Sequence, residues 1–542
     1  MEWMTGGEAL VRSLKANGVR VVFGLPGVQL YGVMTALRDE PSIRFIQTRN
    51  EQATTYMADG YARSSGQVGV ALVVPGQGIL NASAGLSTAF AASSPVLLIA
   101  GQVPRALIGK KTGQLHEIED QQGAIASVTK WRARATEVEE VPPMVRNAFT
   151  QLLSGRPRPV EIEMPPETME DEGEAELLGA APQGRAAASA EAIAQAAQAL
   201  AGAKKPLIYA GGGAVGAGAG AALMALAEHL QAGIATTPEG KGAVDERSDL
   251  SLGSAVFASS PLNAYVADCD VVLAVGTRLL RAPFSPEQQV IQLDVDEEEI
   301  GRARPNVVPL LGDARLTLEA LAQEIRSAGP ARPSRADERA RLREAVRAAD
   351  VTEPQSAITS SLRAGTPDDA IVIAGMTQIG YYSRSFWPAY APRTYLTSSY
   401  SGNLGFEWPT ALGAKVANPD RPVIAMVGDG GFLYNANELA TAVQHGINAV
   451  AVVFNDGAYG NVARDLDEAW GGSYGSELKN PDFVKLAEAY GALGLRASEP
   501  TEVGRLVQEA IQANRPAIVE VPVPRMSRPP TFAPGRKPVR RN

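Results

Sequence analysis

Two short polar clusters in the last third of the chain have the residue types of a metal–phosphate site. An apolar run, Val423–Val427, leads into Gly428-Asp429-Gly430-Gly431. A helical stretch, Asn435–His445, follows, and a second apolar run ends in Phe454-Asn455-Asp456-Gly457. The 24 residues from Gly431 through Phe454 suit one strand–turn–helix–strand unit. Both clusters then emerge at the C-terminal edge of one parallel sheet, where open α/β sheets bind ligands. Asp429 supplies a carboxylate. A second side-chain oxygen at the other strand end and a backbone carbonyl complete a sparse hard-oxygen set. Mg²⁺ accepts such a set when phosphates fill its other positions. Gly428, Gly430 and Gly431 let backbone approach phosphate, and a helix N-terminus favours its negative charge.

The elements that must position these clusters form three α/β blocks, at 1–170, 191–325 and 353–530. Linkers are expected at 171–190 and 326–352, and a basic tail at 531–542. Strand candidates in the first block are Val19–Phe23, Arg44–Gln47, Val68–Val74, Val96–Ile99 and Val160–Glu163. Those in the second are Leu207–Tyr209, Gly233–Thr237, Asp270–Val275 and Val290–Val295. Those in the third are Ala370–Ala374, Val423–Val427, Ala449–Phe454 and Ala517–Val521. Strands alternating with helices predict parallel sheets covered on both faces, hence three doubly wound α/β domains. Blocks one and three share size and pattern, as two related domains would.

Composition narrows the function classes. Fifty basic against 59 acidic residues give a net charge of −9, which argues against a nucleic-acid binder. The dense basic run Arg536–Arg541 reads as a solvated tail. A single cysteine, Cys269, excludes an intramolecular disulfide, and three histidines make a His-clustered zinc site improbable. Residues 1–20 carry charges at helical spacing, so no secretory signal is expected, and the cytoplasm is the default compartment. The uncharged stretch Pro206–Ala227 reads as strand, glycine turn and helix rather than a membrane span.

The two-cluster spacing resembles the thiamin-diphosphate-binding motif, whose second cluster is usually an Asn pair. Here the pair is Asn455-Asp456. The resemblance maps the side-chain metal ligand onto Asp456, the carbonyl ligand onto Ala458, and leaves Asn455 in reserve. Block one is similar to the N-terminal pyrimidine-binding domain of the acetolactate synthase and benzoylformate decarboxylase group. The matches include Gly24-Leu25-Pro26-Gly27, Arg49-Asn50-Glu51-Gln52-Ala53, Ala58–Arg63, Gly101–Pro104, Thr129-Lys130-Trp131 and Ser154–Val160. Block two, with Lys205-Pro206 and Val275–Arg278, resembles the central domain of that group. Block three is then the diphosphate-binding domain, and the likeness covers about 1–525.

The resemblance implies the site residues. Glu51 becomes the carboxyl that hydrogen-bonds the aminopyrimidine and drives its imino tautomer, so that the thiazolium proton can be removed. Leu404 becomes the apolar wedge between the cofactor rings, and Gly402 offers a carbonyl to the pyrimidine amino group. Thr377 and Gln378 contact the diphosphate, and Pro26, Gly76, Tyr459 and Gly460 contact the cofactor elsewhere. Gln114 and His116, in a loop that carries about three extra residues, are candidate catalytic substrate contacts. Val28, Gln29 and Asn461 are further pocket candidates. Glu407-Trp408 replaces small or apolar residues of the usual motif, which points to a nonstandard pocket.

These readings imply a thiamin-diphosphate- and Mg²⁺-dependent enzyme that decarboxylates a 2-oxo acid and joins the fragment to a second carbonyl. The alternatives are a simple decarboxylase or C–C lyase, or a flavin-dependent oxidase. Gly211–Gly216 is a weak dinucleotide signature, and the strand ending at Thr236-Thr237 brings no acid for a ribose. An NAD site is therefore not expected. The resemblance would place FAD in this domain, but Leu279–Phe284 lacks the acidic pair typical of acetolactate synthases, so FAD is possible but not favoured. The resemblance also implies a homodimer or homotetramer with the site between subunits.

Overall fold

The computed structural model describes residues 1–182, 184–255, 260–349 and 351–529. The expected basic tail, with Arg536–Arg541, lies outside the described residues.

Three six-stranded parallel sheets carry the fold. In the first, the strands run in space Arg44–Gln47, Val21–Gly24, Gly69–Val73, Val96–Gly101, Val160–Met164, Trp131–Arg134. In the third, they run Tyr395–Leu396, Ile371–Ala374, Val423–Gly428, Val450–Asn455, Ala517–Pro522, Leu493–Arg496. Numbered by chain order within each sheet, both read 2-1-3-4-6-5. The middle sheet runs Ser251–Ser254, Gly233–Thr236, Pro206–Ala210, Val271–Val275, Gln289–Asp294, Val308–Leu311, the 3-2-1-4-5-6 order of dinucleotide-binding folds. Interior strands such as VIAMV and VAVVF are buried along their length because helices cover both faces. Residues 172–175, inside the expected first linker, pair antiparallel with Glu2–Thr5. The expected second linker contains helix Ala336–Ala349. Pro206 onward folds as strand Pro206–Ala210 and helices Gly212–Ala217 and Gly220–Leu230. No helix among the described residues is long and apolar enough to cross a membrane.

The first and third sheets share one apolar core. It runs from Phe23, Tyr56 and Met57 to Trp408, Leu412 and Phe432. At its centre helix Glu51–Ser65 crosses helix Glu407–Ala417. The two helices hold equivalent places, each following the second strand of its sheet, and each opens on a glutamate. Small residues permit the crossing. A Cβ on Gly60 would lie 2.1 Å from the Thr410 carbonyl oxygen, and one on Gly413 would lie 1.9 Å from that of Met57. Both obstacles are backbone and cannot move aside. Gly413→Val should therefore destabilise the chain by about 1–3 kcal/mol or more, read as an apparent melting temperature lowered by several degrees. An unchanged melting temperature would show that the crossing is looser than this.

Candidate cofactor site

Strands Val423–Gly428 and Val450–Asn455 are neighbours, with Gly428 paired to Phe454. The two polar clusters therefore end side by side. Asp429 opens the short helix Asp429–Phe432. Its Oδ2 accepts hydrogen bonds from the Gly457 N–H at 3.0 Å and from Asn480 Nδ2 at 2.6 Å. Asp456 Oδ2 accepts from Gln378 Nε2 at 2.9 Å, and Gln378 Oε1 accepts from the Met526 N–H at 2.9 Å. A Cβ on Gly460 would lie 2.0 Å from Asp456 Oδ2, so glycine leaves room for that carboxylate. The turn through Ala458 is clamped by Leu478 N–H on the Gly457 carbonyl at 2.7 Å and Tyr459 N–H on that of Ser476 at 2.8 Å.

These groups line one cavity of about 620 Å³ of empty space, part of it open to solvent. Thr377, Gln378, Leu404, Gly428, Asp429, Gly430, Gly431, Asp456, Ala458, Tyr459, Gly460 and Asn461 all line it. So do Met376, Glu407, Val523 and Met526. Asn455 does not. Its Nδ2 donates to Glu520 Oε1 at 2.8 Å, and its Oδ1 accepts from Asn480 Nδ2 at 3.0 Å. Asn480, 51 residues from Asp429 in sequence, thus orients both clusters. Nothing local in the sequence marks it.

The electrostatics fit a cation. Burial raises the Asp429 carboxyl. Burial, and next the nearby charge of Asp429, push Asp456 up to about 6. Among the described residues no Lys, Arg or His lines the cavity. Arg525 offsets Asp456 only in small part, so the two carboxyls resist joint ionisation until a metal offsets their charge. Among the described residues no group of three or more His, Cys, Asp or Glu side chains could hold a metal. A divalent ion here would rest on two carboxylates, a backbone carbonyl and oxygens of its ligand.

The turn bearing Leu404 is tied down from both sheets. Gly402 and Gly405 have positive φ, +66° and +79°, and a Cβ on Gly405 would meet the Tyr434 side chain at 2.4 Å. Asn403 Nδ2 donates to Tyr56 Oη at 2.9 Å and to the Ala84 carbonyl at 3.1 Å. Gly402 adjoins the cavity without lining it.

The N-terminal candidates form a second cluster. Glu51 is 8 % exposed at the start of its helix, and its Oε2 accepts from Asn81 Nδ2 at 3.1 Å. Glu438, from the third sheet's domain, caps the same end by accepting the Arg49 N–H at 3.0 Å. His116 Nδ1 lies 3.0 Å from Gln29 Oε1, and Gln29 Nε2 donates to the Leu115 carbonyl at 3.1 Å. Gly76 lies under that loop, where a Cβ would sit 2.0 Å from the His116 carbonyl oxygen. Its N–H donates to Gln121 Oε1 at 2.9 Å. Gln114 is exposed, and its N–H donates to Glu117 Oε2 at 2.9 Å. Pro26 and Val28 are exposed beside them. None of Pro26, Val28, Gln29, Glu51, Gly76, Gln114 or His116 lines the C-terminal cavity of the same chain.

In the central sheet the two glycine turns touch. A Cβ on Gly276 would lie 2.5 Å from Gly213 Cα. Arg278 reaches across the domains to the Ala91 carbonyl and Ser399 Oγ, each at 3.2 Å.

Comparison with known proteins decides the family. Models of the thiamine pyrophosphate enzymes match in chain order: the N-terminal TPP-binding domain at 4–124, the central domain at 193–321 and the C-terminal TPP-binding domain at 375–521. The chain belongs to the thiamine pyrophosphate enzyme family. A probable 2-ketoarginine decarboxylase, AruI, of Pseudomonas aeruginosa is 36 % identical over 96 % of this chain and 94 % of that protein. A probable acetolactate synthase large subunit of Methanocaldococcus jannaschii is 33 % identical over 98 % of this chain and 94 % of its own length. The acetolactate synthase isozyme 3 large subunit of Escherichia coli is 31 % identical over 96 % and 95 %. A decarboxylase and acetolactate synthases both occur among these relatives by name, and thiamin diphosphate is the cofactor the matched domains bind.

Proposed function

We propose that this enzyme uses thiamin diphosphate and Mg²⁺ to decarboxylate a 2-oxo acid and joins the resulting fragment to a second carbonyl. The observation that carries the reading is the convergence of Asp429, Asp456 and a glycine-lined turn on one cavity that Leu404 also lines. In this reading Asp429, Asp456 and the Ala458 carbonyl hold the metal. Gly430, Gly431, Thr377 and Gln378 receive the diphosphate, and Leu404 bends the cofactor. The bound cofactor supplies an electron sink for the bond that breaks as CO₂ leaves. Glu51 shares a proton with the aminopyrimidine, and the Gln29–His116 pair faces the substrate.

Because Glu51 and His116 do not line their own chain's cavity, we take the working unit to be a homodimer or a pair of dimers. Each copy then lends its N-terminal cluster to the other's C-terminal cavity. A second reading, decarboxylation alone, is favoured by the 36 % identity to a protein named a 2-ketoarginine decarboxylase. Product analysis separates them. Enzyme supplied with thiamin diphosphate, Mg²⁺ and either pyruvate or 2-ketoarginine should release CO₂. A coupled 2-hydroxyketone supports carboligation, and an aldehyde as sole product supports the second reading. No CO₂ from any 2-oxo acid offered would contradict both.

A further inference from the structure

Among the described residues the candidate cavity is lined by three carboxyl groups and by no Lys, Arg or His. A divalent ion offsets two of them, Asp429 and Asp456. The negative charge of a diphosphate is then left without a side-chain counter-ion, and the state of the third carboxyl, Glu407, becomes decisive. Glu407 opens helix Glu407–Ala417 and is 1 % exposed. Its Oε1 accepts the Met376 N–H at 3.2 Å. A Cβ on Gly375 would lie 2.4 Å from that oxygen, and one on Gly431 would lie 3.9 Å from it. The carboxyl therefore sits between the turn that carries Met376 and Thr377 and the glycine turn after Asp429. Its Oε2 is buried with no hydrogen-bond partner among the described residues.

Among the described residues, the elements packed around it bring no cation into an ion pair with it. Strands Ile371–Ala374 and Val423–Gly428 bring no titratable side chain. Helix Glu51–Ser65 brings Tyr56, and helix Gln378–Phe386 brings Tyr381 and Arg384, whose Nη2 is turned to Met376 Sδ at 3.1 Å. Helix Asp429–Phe432 brings Asp429. Helix Glu438–His445 brings His445 and Glu438, the latter engaged by Arg49 and Thr441. No ion pair reaches Glu407 among the described residues, and burial pushes its carboxyl up to about 7.

We propose that Glu407 is a proton-coupled positioning residue: an anionic diphosphate enters this cavity together with a proton on the Glu407 carboxyl. The inference rests on reading the cavity as a diphosphate site. An ionised Glu407, itself buried against the cavity wall, would repel the incoming anion. A neutral one removes that repulsion, keeps the Met376 N–H on Oε1 and can place its proton on the unpartnered Oε2. The carboxyl then keeps its place between the two turns that flank the ligand. By linkage, a ligand that favours the protonated form binds more weakly as pH rises through the free carboxyl's pKa. The free group titrates near neutrality, so ligand binding and proton binding are coupled at working pH.

The test is calorimetric titration of the full chain with Mg²⁺-pyrophosphate and with Mg²⁺-thiamin diphosphate, in buffers of different ionisation heat. At pH 8 the wild type should take up close to one more proton per site than Glu407→Gln, whose amide mimics the neutral acid. From pH 6 to pH 8 wild-type affinity should fall about tenfold further than that of the variant. Equal proton uptake in the two proteins overturns the proposal while leaving the diphosphate site standing. No net proton uptake by the wild type at pH 8 overturns it even if the variant fails to fold. A wild type that binds neither ligand overturns the site reading and this inference together.

Discussion

Asp429→Ala should abolish Mg²⁺-dependent binding of thiamin diphosphate, weakening it by at least about 100-fold. Removing even a group that only orients a metal ligand costs about 10–100-fold, and Asp429 is placed to be the ligand itself. The loss should be confined to the site. The Asp429 carboxylate accepts from the Gly457 N–H and from Asn480 within the same loop cluster, and burial already penalises its charge. The variant should therefore fold and melt at or above the wild-type temperature. Asn480→Ala should show a smaller loss, about 10-fold, because it frees Asp429 to turn. A calorimetric titration of each variant with cofactor and Mg²⁺ reads both effects. Retained wild-type affinity in Asp429→Ala would remove the metal from the place assigned to it.

Glu51→Gln should lower kcat by about 10²–10⁴-fold, the usual worth of a positioned acid–base group, with much less change in cofactor affinity. The amide keeps the shape and can still meet Asn81, which donates to Glu51 Oε2 in the wild type. It cannot share a proton with the aminopyrimidine. The effect should be transferable between chains. A mixture of Glu51→Gln and Asp429→Ala, dissociated and reassembled, should regain activity that neither variant has alone. Each mixed dimer would hold one cavity whose two contributors are both intact. No recovery would mean that Glu51 serves its own chain's cavity.

The legible part of the fold was its interior. Runs such as Val423–Val427 and Ala449–Phe454 are apolar throughout because both faces of those strands are covered. The strands left unmarked lie at sheet edges: Trp131–Arg134, Ser251–Ser254, Val308–Leu311, Tyr395–Leu396 and Leu493–Arg496. They are short, and several are half-exposed, WRAR and LGLR among them, so neither a continuous apolar run nor alternation betrays them. Glu2–Thr5 and Glu172–Ala175 escaped for the same reason, since they form a two-stranded ribbon at the periphery.

At the site, local sequence marked the residues whose types are unusual at strand ends, Asp429, Asp456 and the glycines between. Partners that arrive from a distance carry no such mark. Asn480 holds Asp429 from a loop, Asn81 holds Glu51 from the next helix, and Gln121 holds the Gly76 N–H. Each is an ordinary polar residue until the fold brings it in. Glu407 was legible only as an oddity beside Trp408. Its significance depends on Gly375, Met376 and Gly431, which stand on different elements.

The most direct measurement is the near-ultraviolet circular dichroism of the apo-protein titrated with thiamin diphosphate, with and without Mg²⁺. Saturable binding that needs the divalent ion, lost in Asp429→Ala and kept in Glu51→Gln, is the predicted result. Binding that ignores both the ion and Asp429, or no binding at all, would contradict the account.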